Sequence, residues 1–148
     1  IRDTPCDCIA LKVGINIQCM AAFTARTFPA AVLGFLQTVR DGHKETPIVV
    51  VSPIWSGPLE ERAPVQAPHF MTMAQLRQQL RVAVERLRKR GDGKIFYRDG
   101  LELLGSAEHR LLSDGVHPVC RGHRLIGKRF AQLEFGAAGR LLPGRCAV

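Results

Sequence analysis

Apolar residues alternate between extended and helical spacing along this chain. "CIALKVGIN" (8–16) reads as a buried strand passing into a loop. "TFPAAVLGFLQTVRDGH" (27–43) spaces Phe28, Val32, Phe35 and Val39 by four, three and four, which predicts a helix with one buried stripe. Pro29 suits its first turn and Gly42 its end. "TPIVVVSPIW" (46–55) is a continuous β-branched run, as expected of a central parallel strand covered on both faces. Residues 56–72 carry Pro58, Pro64 and Pro68 and read as a long irregular loop.

"MAQLRQQLRVAVERLRKRGDG" (73–93) predicts an amphipathic helix on Leu76, Leu80, Ala83 and Leu87, stopped by Gly91. Arg77, Arg81 and Arg88 share an adjoining face, expected to be solvated. "KIFYRDGLELL" (94–104) gives a third strand and a turn. "HPVCRGHRLIGKRFAQLEF" (117–135) gives the last helix, with Pro118 at its first position. Such alternation predicts an α/β fold with a parallel sheet over residues 1–135 and a loosely ordered tail over 136–148. Three strands are few for such a sheet, a sign of something missing upstream.

Composition narrows the function classes. The 148 residues are 46% hydrophobic and 23% charged, as in an ordinary globular domain, and no apolar run approaches the roughly 20 residues of a membrane span. The net charge of +8 permits an anionic partner, but aromatics are only 6%, with one Trp and one Tyr. That is little stacking equipment, and nucleic acid is not expected as a partner. Cys6, Cys8, Cys19, Cys120 and Cys146 are odd in number and irregular in spacing, so reduced thiols are expected, with a lean towards the cytoplasm. His117, Cys120 and His123 stand three apart on a helix and cannot all converge on one ion. Neither a metal nor a cofactor is expected.

In open α/β sheets function gathers beyond the carboxyl ends of the strands. Gly14 and Asn16 follow the first strand, Ser52 the second, and the third leads through Asp99 to Asp114 and His117. A carboxylate three residues ahead of a histidine can fix the imidazole tautomer for general-base work, or Asp114 can simply cap the last helix. Asn16 after a glycine can donate to an oxyanion, or be an ordinary loop asparagine. Ser52 is a weak candidate nucleophile, because it precedes Pro53 rather than a helix-opening turn.

Together, "GIN" at 14–16 and "DGVHP" at 114–118 resemble the SGNH (GDSL-type) hydrolases, which are lipases and esterases. The resemblance implies a three-layer α/β/α, flavodoxin-like fold and ester hydrolysis by acyl transfer, with a small-molecule or lipid ester as substrate. It assigns Asn16, in the block opened by Gly14, to the oxyanion, Asp114 to the orienting acid and His117 to the base. "LKVGINI", "TPIVVVSPI" and "DGLELLG" are similar to a bacterial branch of the family, and Ile17 stands where an aspartate is common. The family's G-D-S nucleophile block has no counterpart here, so the resemblance covers only the later part of such a domain and leaves the nucleophile unidentified. It also implies an exposed sheet edge open to self-association. The competing reading is a non-catalytic binding module that uses the basic helix face.

Overall fold

The computed structural model describes residues 1–63 and 70–141. Strands β1 (Ile9–Lys12), β2 (Ile48–Val51) and β3 (Ile95–Arg98) pair in parallel in the order β1-β2-β3. Ile9, Ile48 and Ile95 form one row and Lys12, Val51 and Arg98 another, so the three carboxyl ends finish level. All four residues of β2 are buried, as its β-branched run requires of a central strand.

Helices α2 (Phe28–Gly42) and α3 (Met73–Lys89) cover one face of the sheet, packing on Ile9, Leu11, Ile48, Val50 and Ile95. The buried stripe of α2 is Phe28, Val32, Leu36 and Val39, whereas Phe35 is 40% exposed. The expected stripe therefore slips by one residue at its third position. Spacings of 4-3-4 and 4-4-3 are both helical, and only the sheet decides which of two adjacent apolar residues turns inward. α3 starts at a capping box: Thr72 Oγ1 accepts from the Gln75 N–H while Gln75 Oε1 accepts from the Thr72 N–H.

The arginine face of α3 is solvated at Arg81 and Arg88, as expected, but not at Arg77, and all three side chains are bonded. Arg77 is buried and donates to Pro53 O and to the Glu60 carboxylate. Arg81 pairs with Asp99 at 2.9 Å and stacks over the Tyr97 ring. Arg88 donates to Ile95 O at 2.8 Å and lies over Phe96. Planar guanidiniums bind carboxylates, carbonyls and ring faces together, and here Glu60 and Asp99, the Pro53 and Ile95 carbonyls, and the Phe96 and Tyr97 rings supply them.

Helix α4 (Cys120–Phe135) covers the opposite face, with Ile126, Phe130 and Leu133 against Val49, Val51, Leu103 and Leu104. It begins three residues later than expected, and Pro118 lies ahead of it, bridged to Leu112. The result is the expected three-layer α/β/α arrangement. Leu141 folds back into the core, its N–H donating to Glu134 O, and Arg140 donates to Tyr97 O. Residues 142–148 of the tail, with Cys146, and Pro64 and Pro68 of the 56–72 loop lie outside the described residues. Among the described residues no helix is long and apolar enough to cross a membrane.

Candidate active site

β1 ends at Lys12, sooner than expected, and the chain turns at Gly14 into a short helix, α1 (Ile15–Cys19). Gly14 holds a φ of +128°, and a Cβ there would sit 2.4 Å from Pro53 Cγ. Both facts demand glycine. The turn seats α1 against the segment that leaves β2 and puts Asn16, exposed, in its first turn.

Beyond β3, two 3-10 turns (Gly100–Glu102 and Ser106–Leu111) lead to a loop that is tied to itself. The Ser113 N–H donates to His117 O at 2.9 Å, Ser113 Oγ donates to the same oxygen, and the Val119 N–H donates to Leu111 O at 2.8 Å. Inside this closed loop Gly115 takes a φ of +81°. Asp114 Oδ1 accepts from the backbone N–H groups of His117 and Val116, at 2.7 and 3.0 Å, while Oδ2 lies 2.7 Å from His117 Nδ1. The residue ahead of α4 is Val119, which makes no side-chain cap, so Asp114 does not cap the helix. The carboxylate serves the histidine.

That arrangement fixes the imidazole. A carboxylate oxygen only accepts, so Nδ1 carries the proton and the neutral ring keeps Nε2 free as a base. The His117 backbone and side-chain bonds, then that of Val116, hold the Asp114 carboxyl far below the usual carboxylate range. The pair is solvent-accessible, with side-chain exposures of 76% for His117 and 56% for Asp114.

His117 and Asn16 line one cleft of about 240 Å³ between α1, the end of β2 and the Asp114–His117 loop. Ile15, Pro53 and Ile54 give it apolar walls. Lys12 also lines it, with a pKa lowered by desolvation. Trp55 and Phe70 lie outside this cleft. Trp55 borders a second cleft with Glu60, Glu61 and Arg62, and Phe70 bridges to Thr24.

The four serines divide clearly. Ser52 is fully buried, and its Oγ accepts from the Gly100 N–H at 3.0 Å and the Tyr97 hydroxyl at 2.9 Å. Its place is in the sheet, not the cleft. Ser113 secures the loop as described, and Ser106 opens the second 3-10 turn, exposed. Ser56 lines the cleft and is buried. Its Oγ donates to Gly115 O at 3.1 Å and so pins the Asp114–His117 loop to the segment after β2. Nothing in the local sequence distinguishes it from its neighbours. Among the described residues no group of His, Cys, Asp or Glu is placed to hold a metal.

Among solved structures the chain is similar to the salicylyl-acyltransferase SsfX3 from a tetracycline biosynthetic pathway. The identity is 34% and the TM-score 0.73, over 86% of this chain and 37% of that one. It is also similar to a GDSL-like lipase from Bacteroides ovatus, at 21% identity and a TM-score of 0.65, over 87% of this chain and 35% of the other. A third likeness is a carbohydrate esterase of family 3 from Talaromyces cellulolyticus, at 16% identity and a TM-score of 0.61, over 86% and 56%. The chain thus spans roughly a third to a half of the length of the structures it matches. No protein-family model matches it, and no curated protein does. The chain shares the fold of these structures, among them a GDSL-like lipase.

Proposed function

We propose that this chain carries the acid–base and oxyanion parts of a serine-dependent site that acts on carboxylic esters, by hydrolysis or by acyl transfer to another acceptor. The observation that carries the reading is the 2.7 Å contact of Asp114 with His117 Nδ1, on a ring that shares one cleft with Asn16. The likeness to an acyltransferase, a lipase and an esterase supports the same class.

In this reading His117 Nε2 takes the proton of a serine hydroxyl as that oxygen attacks the ester carbonyl, and Asp114 stabilises the imidazolium that forms. The Asn16 amide donates to the developing oxyanion. The imidazolium then returns its proton to the departing alcohol, and water or a second alcohol repeats the sequence on the acyl-serine. Ser52 is buried, Ser106 does not line the cleft, Ser113 donates to His117 O and Ser56 donates to Gly115 O, so the nucleophile is assigned to a serine from outside residues 1–148.

Hydrolysis of p-nitrophenyl acetate by this chain tests the reading, since an oriented imidazole with Nε2 free turns over an activated ester slowly without a serine. Slow turnover without an acyl-enzyme burst is expected. It should be lost in His117→Ala and kept in Ser52→Ala and Ser56→Ala. Turnover indifferent to His117 would sink the proposal, and an acyl-enzyme burst in the unaltered chain that Ser56→Ala abolishes would move the nucleophile to that residue.

A further inference from the structure

A second histidine, away from the cleft, also faces a potential nucleophile. His43 follows α2 directly and is 6% exposed. Its Nε2 lies 2.9 Å from the backbone oxygen of Ile1, and its Nδ1 lies 3.8 Å from Cys6 Sγ. A backbone carbonyl only accepts, so Nε2 carries the proton and Nδ1 of the neutral ring is an acceptor. The group it faces is the Cys6 thiol, which is exposed. Imidazole and thiol are thus arranged as base and nucleophile.

The surroundings hold this pair in place. Thr46 Oγ1 donates to Cys6 O, and Arg40 Nη1 donates to both His43 O and Thr46 O at 2.6 Å. Gly42 lets the first residues pack close, since a Cβ there would lie 1.9 Å from Arg2 O.

We propose that Cys6 and His43 form a thiol-modification site, separate from the ester cleft, that reacts with small organic disulfides. The Cys6 S–H passes its proton to His43 Nδ1 while the sulfur attacks one sulfur of the disulfide. The S–S bond breaks, and the departing thiolate takes the proton from the imidazolium. The products are one mixed disulfide on Cys6 and one free thiol, the disulfide being the oxidant.

The chain carries its own controls. Cys19 is exposed and, although it lines the cleft that holds His117, bonds no imidazole among the described residues, while burial, then Cys6 and Asp7, raise the Cys8 thiol. The experiment exposes the whole chain to oxidised glutathione at neutral pH, quenches with acid and maps the thiolated cysteines by peptide mass. Cys6 should react at least about tenfold faster than Cys19, and His43→Gln should bring it down to the Cys19 rate. Thr46→Ala loosens the same segment without touching the ring and should leave Cys6 the faster. Equal rates for Cys6 and Cys19 in the unaltered chain overturn the proposal, a comparison that needs no variant to fold. So does a Cys6 that stays fast in a folded His43→Gln.

Discussion

The Asp114 carboxylate bonds two backbone N–H groups with one oxygen and an imidazole with the other, so loop geometry and ring orientation depend on one side chain. Asp114→Asn keeps the shape but loses the charge that stabilises an imidazolium. Turnover of p-nitrophenyl acetate should drop by about 10²-fold or more while the melting temperature barely moves. The sign of the pH effect follows from the depressed carboxyl. Its contribution to the loop is complete above the unfolded value, roughly pH 4, and fades as the pH falls through the lower folded value. Circular dichroism should therefore show the loop unchanged from pH 8 to 5. Ser52→Ala behaves oppositely to Asp114→Asn. It strands two donors, the Gly100 N–H and the Tyr97 hydroxyl, at about 1–3 kcal/mol for each that stays unpaired. Thermal melts should show a clear loss of stability, with turnover per folded molecule intact. Both roles were partly readable in advance: D-x-x-H-P marked the pair, and Pro53 argued against Ser52. Ser56 was not, because its partner, Gly115 O, lies 59 residues away and only the fold brings them together.

Among the elements, strands and long helices were legible where hydrophobic period alone decides them. The four β-branched residues of β2 and the Leu76, Leu80, Ala83 and Leu87 stripe of α3 are buried as their spacing says. What period could not give was set by partners distant in sequence. Leu36 rather than Phe35 turns inward because of the sheet beneath it, and the α3 arginines are bonded because Glu60, Asp99 and the Pro53 and Ile95 carbonyls come to them from other segments. The start of α4 was misplaced because Pro118 satisfies a strand-like bridge as readily as a helix's first position. One link between elements invites a direct measurement. Arg98, at the end of β3, bonds Glu134 on α4 and Glu102 in the turn between them, and Glu134 is fully buried. Glu134→Gln removes the deeper counter-charge and should cost about 3 kcal/mol, a Tm lower by roughly 6–12 °C in calorimetry.

At the scale of the molecule, the two faces of the sheet are unequally covered. Ile9 and Leu11 are buried under α2 and α3, while Ala10 and Lys12, on the α4 side of the same strand, are exposed. β1 is also an edge strand. An edge beside an open face is a site for pairing with another chain, and the net charge of +8 opposes pairing between copies. Light scattering should show concentration-dependent association that strengthens with added salt, as the repulsion is screened, and that Ala10→Lys suppresses. A monomer at all salt concentrations would refute this. The Asp114–His117 loop stands apart from such incompleteness. The bonds that orient its ring span only two to four residues of chain, so they need no sheet, no second domain and no partner to form. Contacts this local close early and survive rearrangement of everything around them. The loop is, in effect, a portable part, a preset proton acceptor that another scaffold could carry on seven residues of borrowed sequence, Leu112 to Pro118.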